Sequence, residues 1–221
     1  GLVGKVLGEY GTVVITDAYA SGNVTATGNG DQLVGGLVGY IQTEYCTIER
    51  VYATGRVSGL NLGHDSSTGI TTRSGGLFGK LSLGTTVSNA TFDTTTTGMA
   101  TATSAAADSL DYSAINAAHP GHTTAEMKSL ATFSSWGTSI DSVGGSGATW
   151  RIYDGYTAPL LRSFLTPLTV TAGGSKIYDG STDASSALTY SATYDGALLL
   201  GTATTSRKNV GTYSVTPSDL Y

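Results

Sequence analysis

Three copies of one short pattern constrain this chain more than any other feature. Gly1-Leu2-Val3-Gly4, Gly36-Leu37-Val38-Gly39 and Gly76-Leu77-Phe78-Gly79 begin 36 − 1 = 35 and 76 − 36 = 40 residues apart. A second pattern travels with the first. Asp17-Ala18-Tyr19-Ala20-Ser21-Gly22-Asn23-Val24 is answered by Arg50-Val51-Tyr52-Ala53-Thr54-Gly55-Arg56-Val57, and a worn copy runs Val87-Ser88-Asn89-Ala90-Thr91-Phe92-Asp93. Self-similarity at such a period marks a stacked or radial repeat architecture. Leu2 and Tyr19 are 19 − 2 = 17 residues apart, Leu37 and Tyr52 are 52 − 37 = 15, so the larger length changes fall between motifs, where loops belong.

Elementary geometry turns this pattern into a fold expectation. In a parallel β-coil, equivalent positions of successive turns lie ~4.8 Å apart. Leu2, Leu37 and Leu77 then form one inward column, and Val3, Val38 and Phe78 a neighbouring one. The flanking glycines serve tight corners that need positive φ or close backbone approach. A single repeat cannot bury its apolar face alone, whereas a stack can.

Composition agrees with strands and turns. Charged residues are 12 % of the 221, Gly numbers 31 and Pro only 4. The net charge of −5 leaves no basic stripe to neutralise phosphates, which argues against nucleic acid as a partner; Arg207-Lys208 is the one adjacent basic pair. The lone Cys46 excludes an intrachain disulfide and reads as a buried, inert thiol. No apolar run approaches the ~20 residues of a membrane-spanning helix. The chain starts at Gly1 and stops at Tyr221 inside repeating patterns, so a fragment of a longer protein is expected.

Along the chain, residues 1–98 hold the repeats, with 60–74 as an excursion loop where the period lengthens. Residues 99–165 form a closing segment. Within it, Thr123 and Glu126 make a capping box, and Met127, Leu130 and Phe133 recur every third residue, so 123–133 is expected as a short capping helix over an open coil end. Trp136 and Trp150 supply closing core. Residues 166–221 alternate as strands around Asp-Gly turn signals and read as a small separate β module. The expected class is therefore all-β: a parallel β-helix, or solenoid, with a short capping helix, followed by a small β module.

The Gly-Leu-hydrophobic-Gly core with its later Tyr-Ala-Ser/Thr-Gly-X-Val element resembles the GLUG-motif repeats of large bacterial exported proteins, including filamentous-haemagglutinin-like adhesins. Asn89 to Gly98 resembles the final repeat of such blocks, with Phe92 standing where Trp is usual. Lys176-Ile177-Tyr178-Asp179-Gly180, Asn209-Val210-Gly211-Thr212-Tyr213 and Val215-Thr216-Pro217-Ser218 resemble a YDG-type, MBG-related module. The resemblance implies a β-helical stalk with tandem β modules, exported by two-partner secretion to the surface of a Gram-negative bacterium and acting in adhesion or biofilm formation. Its implied partners are neighbouring repeats of the same parent chain and host-surface or matrix glycans.

No catalytic, metal or cofactor site emerges. His119-Pro120-Gly121-His122 places two imidazoles three residues apart, short of the three or four ligands a metal needs, and His64-Asp65 joins them only by coincidence of the fold. No Gly-X-Ser-X-Gly elbow is present. Glycoside cleavage needs two facing carboxylates, and Asp17, Glu49, Asp179, Asp183 and Asp195 offer no evident pair. Gly144-Gly145-Ser146-Gly147 lacks the Asp of a calcium roll. Tyr10, Tyr19, Tyr40, Tyr45 and Tyr52 are weighed as an aromatic strip for sugars. Asn23 and Asn89 begin glycosylation sequons. The leading expectation is a non-enzymatic stalk or spacer; a carbohydrate-binding module is the alternative, and a polysaccharide-active β-helix enzyme stands behind it. The ligand itself stays open.

Overall fold

The structure, a computed structural model, describes residues 1–8, 11–28, 30–43, 45–59, 63–65, 70–82, 84–103, 112–143, 147–166, 169–191 and 202–218. Strands dominate and helices are short, so the class is all-β. Two compact units are present, Gly1–Gly137 and Thr138–Tyr221.

The described strands of the first unit are β1 (Val3–Leu7), β2 (Val13–Ala20), β3 (Val24–Ala26), β4 (Gln32–Gly35), β5 (Val38–Gln42), β6 (Cys46–Ala53), β7 (Val57–Gly59), β8 (Gly63–Asp65), β9 (Ile70–Gly75), β10 (Phe78–Lys80), β11 (Thr86–Asp93) and β12 (Gly121–His122). Their pairing matches the repeat. β5 lies between β1 and β10, β6 lies between β2 and β11, β3 pairs with β7, and β4 with β9, all in parallel. Motif meets motif in register: Val3 and Phe78 both face Val38, Tyr19 and Thr91 both face Tyr52, and Val24 faces Val57.

This register builds the core. Ile15, Ile48 and Val87 share one column; Ala18, Val51 and Ala90 share another; Ala20, Ala53 and Phe92 share a third. Leu37, Val38, Ile41, Ile48, Val51, Leu77, Phe78 and Phe92 are completely buried. Burial of each such side chain stabilises by about 1.5–3 kcal/mol. Leu2 belongs to the same run, since its N–H donates to the Leu37 carbonyl at 2.8 Å as that of Leu37 does to Leu77 at 2.9 Å. It sits beside the edge strand β1, however, and is 47 % exposed.

The repeat glycines are explained by crowding. None of Gly36, Gly39, Gly55, Gly76 or Gly79 has a left-handed φ. A Cβ on Gly39 would overlap the Gly4 carbonyl oxygen, one on Gly55 the Gly22 carbonyl, and one on Gly76 the Phe92 ring. Left-handed backbone instead falls on Asp17, Arg50 and Asn89, at φ 50°, 49° and 51°. Between the register pairs on either side, these three residues occupy one position of β2, β6 and β11. Asp and Asn tolerate that conformation better than most side chains.

Segments of low apolar content continue the ladders. The Gly76 N–H donates to the Thr101 carbonyl at 2.9 Å, and those of Leu77 and Phe78 to Ala102 at 3.0 and 2.9 Å. Thr103 bridges Phe78 in parallel. Its backbone is then closed by one side chain: Asn116 Oδ1 accepts the Thr103 N–H and Asn116 Nδ2 donates to the Thr103 carbonyl, each at 3.0 Å. Asn116 belongs to a short helix, Ser113–Ala118, and the adjacent Tyr112 hydroxyl donates to the Leu81 carbonyl at 3.0 Å. β12 extends β11 in parallel, and β8 folds antiparallel onto β9.

The expected capping helix takes another form. The Thr123–Glu126 box is made: the Thr123 N–H donates to Glu126 Oε2 at 2.7 Å and the Glu126 N–H to Thr123 Oγ1 at 3.3 Å. Beyond the box the backbone is 3₁₀, over Glu126–Lys128 and Leu130–Ser139. Ser129 is extended between the two stretches, and Phe133 and Gly137 depart from helical angles, so the chain makes separate short 3₁₀ turns, which the spacing by threes of Met127, Leu130, Phe133 and Trp136 suits. Met127, Phe133 and Trp136 are buried.

In the second unit Ile140–Asp141 runs parallel to Trp150–Arg151, which pairs antiparallel with Leu160–Leu161. Trp150 and Ile152 are fully buried. Val170–Ala172 then pairs antiparallel with Leu188–Tyr190, and Thr202–Thr205 with Val215–Ser218.

Candidate functional site

Arg50 is the most engaged charge of the repeats. Its left-handed backbone turns the guanidinium toward the preceding strand, where Nε and Nη2 grip Asp17 at 2.7 and 2.9 Å and Nη2 also donates to Thr16 Oγ1 at 3.1 Å. Nη1 meets Glu49 at 2.6 Å. The two carboxylates weighed for glycoside chemistry, Asp17 and Glu49, thus share one arginine. The common spacing of Asp17, Arg50 and Asn89 ahead of their motifs was the sequence signal for this column.

The tyrosines are similarly engaged. Tyr19 and Tyr52 stack at 5.1 Å and 9°, and Phe133 meets Tyr52 edge-on at 6.4 Å. Tyr52 is buried, which pushes its phenol above the ordinary range. Tyr40 lies between Lys5 and Lys80, each ammonium 5.3 Å from the ring centroid and each supplied by a neighbouring strand. Tyr45 is exposed. Tyr10 lies outside the described residues.

His119 and His122 separate in role. His119 is buried and hydrogen-bonds backbone at Ala90 and Val87; burial lowers its pKa. His122 Nδ1 lies 4.0 Å from Glu126 Oε2. The side chains of His64 and Asp65 lie outside the described residues, as do residues 144–146. Among the described residues no three His, Cys, Asp or Glu side chains group closely enough to hold a metal ion. Cys46 is buried and its thiol pKa is raised by that burial.

The sequons differ. Asn23 is exposed and its Oδ1 accepts the Arg56 N–H at 3.0 Å. Asn89 is half-buried, and the hydroxyl of its sequon Thr91 donates to the Pro120 carbonyl at 2.9 Å.

In the second unit residues 174–187 and 205–215 contribute to the lining of one cleft of about 350 Å³. Lys176, Ile177, Tyr178 and Asp179 form one wall, and residues 207–213 the other. Lys176 Nζ bonds Asp179 at 2.8 Å and Ser181 Oγ at 2.8 Å. The Lys176 contact, helped by the Ser181 N–H, lowers the Asp179 pKa to about 2. Asp183 is likewise held down, by Ser185. Asp195 lies outside the described residues. Ile177, Tyr178 and Val210 are exposed in this cleft, at 91, 63 and 84 %.

Residues 30–58 match the family model of the GLUG motif. That span begins ahead of β4 and runs through β5 and β6 into β7. The chain therefore contains a GLUG-motif region. No curated protein and no solved structure matches the chain.

Proposed function

We propose that this chain is a non-enzymatic stalk or spacer of a large secreted or surface-anchored adhesin of a Gram-negative bacterium, filamentous-haemagglutinin-like, and acting in cell adhesion or biofilm formation. On this reading residues 1–98 are turns of a parallel β-helix, the following segment closes it, and residues 166–221 are a YDG/MBG-like module. One observation supports it above the others: parallel ladders within the chain pair each motif with its own repeat, as a coil of stacked repeats requires. The GLUG motif is found in bacterial surface proteins, which is compatible with this role. Stacked turns joined by backbone hydrogen bonds set reach and stiffness without disulfides.

Deletion of residues 1–98 from the parent protein is expected to abolish surface attachment or shorten its reach, scored by cell adhesion and by electron microscopy of surface fibres. Unchanged adhesion and unchanged reach refute the proposal.

A carbohydrate-binding role is the second reading, favoured by the cleft where exposed Tyr178 and Ile177 stand near Arg207 and Lys208. It requires glycan-array binding by this chain that Tyr178→Ala removes.

A further inference from the structure

We infer that the outer edges of β1 to β4 form a docking surface whose occupant is a further turn of the same glycine-bounded repeat, joined ahead of Gly1. The inference rests on the proposed coil and is independent of adhesion. Two separate observations carry it.

The first is the asymmetry of the edges. Among the described residues, β1, β2, β3 and β4 each have a strand neighbour on one side only. At the opposite end the edges are closed in part: β8 pairs with Ile70–Thr72 of β9, β12 with Phe92 and Asp93 of β11, and residues 101–103 bond Gly76, Leu77 and Phe78, with Asn116 closing Thr103, while β7 has one strand neighbour among the described residues. The open edges carry apolar side chains whose register equivalents are buried: Leu2 is exposed where Leu37 is buried, and Val3, Val13 and Ile15 are only partly buried where Val38, Cys46 and Ile48 are buried. Backbone edges with apolar flanks are templates for strand addition.

The second observation is a pair of glycines with no task inside the molecule. Gly39 and Gly79 must be glycine because the carbonyl of the register-equivalent glycine one turn earlier, Gly4 and then Gly39, occupies the Cβ position; Gly55 stands over Gly22 in the same way. At Gly4 and Gly22 that position is open, with no atom within 4 Å. Neither has a left-handed φ. A glycine weakens a strand unless close approach or conformation requires it. Both requirements are missing at Gly4 and Gly22 unless carbonyls of an earlier turn fill the two holes.

A second copy of this chain is a poor occupant. Its opposite end is closed in part by β8, β12 and residues 101–103, and two open ends meeting through a two-fold axis would pair antiparallel, out of the register that places glycine carbonyl over glycine.

The test is a tandem chain with residues 1–35 duplicated ahead of Gly1, compared with the original by thermal unfolding. The tandem chain is expected to melt higher. In the original, Gly39→Ala is expected to lower the midpoint by about 3–10 °C, as overpacking does, while Gly4→Ala and Gly22→Ala shift it by less than about 1 °C. In the tandem chain, Gly4→Ala at the now interior position is expected to cost as much as Gly39→Ala does in the original. A second tandem, with residues 36–75 ahead of Gly1, guards against one poor junction. If neither tandem melts higher, or Gly4→Ala stays silent in both, the docking surface is refuted. If Gly39→Ala is silent in the original chain, the coil reading itself fails.

Discussion

The repeats and the described residues of 169–218 place their large hydrophobic side chains in opposite ways. Among the repeats, Phe92, Leu37 and Ile48 are wholly buried; Ile48 lies between Ile15 and Val87 and Phe92 between Ala53 and Gly121. In residues 169–218, Ile177 and Val210 stand exposed while Ala184, Ala187 and Ala203 lie inside. Hydropathy alone does not separate the two groups. Repetition does, because a parallel ladder in register sets like upon like, and each aliphatic column supplies its own cover. Among the described residues of 169–218, two short antiparallel pairs offer little facing surface to cover residues of that size.

The sharpest way to break this comparison is to truncate one residue from each side. Phe92→Ala is expected to cost about 3–5 kcal/mol, with Gly76 and Gly121 lining the void, whereas Ile177→Ala is expected to stay within about 0.5 kcal/mol. Denaturant titration of both variants decides it. Equal costs would show that the exposed group is part of a core after all.

A smaller effect tests whether the ladders end on a side chain. Asn116→Ala removes both bonds to Thr103 and leaves that backbone unpaired in a buried place, so about 1–3 kcal/mol is expected to be lost. Hydrogen exchange should report it first at Thr103.

pH separates the two regions again. His119 is held neutral by burial, so its folded pKa lies below its unfolded one and the unfolded chain binds more protons in the window between them. Stability of the first unit is therefore expected to fall as pH drops through and below about 6.5, and His119→Gln should flatten that slope. Thermal melts at pH 7 and pH 5 measure it.

The smallest effect lies at Asp179. Asp179, with its pKa lowered to about 2 by Lys176, stays charged to lower pH than an ordinary aspartate. Lys176→Met should move its NMR titration back toward the ordinary value. Its stabilisation, present above the unfolded pKa and lost as pH falls through the folded one, should be faint at so exposed a site.

Much of the architecture was readable residue by residue. The Leu-Val pairs and the Tyr-Ala-Ser/Thr-Gly element announced which strands would share a register, since a repeat placed on itself has only one alignment that keeps apolar residues facing inward. The capping box was also readable. The spacing of Met127, Leu130 and Phe133 was visible too, but its period of three belongs to a 3₁₀ turn. The functional surfaces were less legible. Tyr19, Tyr40 and Tyr52 look like an aromatic strip in one dimension, yet stacking and flanking lysines occupy their faces in three. Asp17 and Glu49 look like spare acids until Arg50 is seen between them.

The amino-acid order by itself determined the repeat, its register and the identity of the core columns, because those arise from periodicity and from the pleat of a strand. Only the tertiary structure decided what the glycines are for, which side chain ends the ladder and why left-handed backbone falls on Asp17, Arg50 and Asn89. These depend on atoms distant in sequence, such as Gly4 against Gly39 or Asp17 against Arg50, and no local pattern records how closely two paired strands approach.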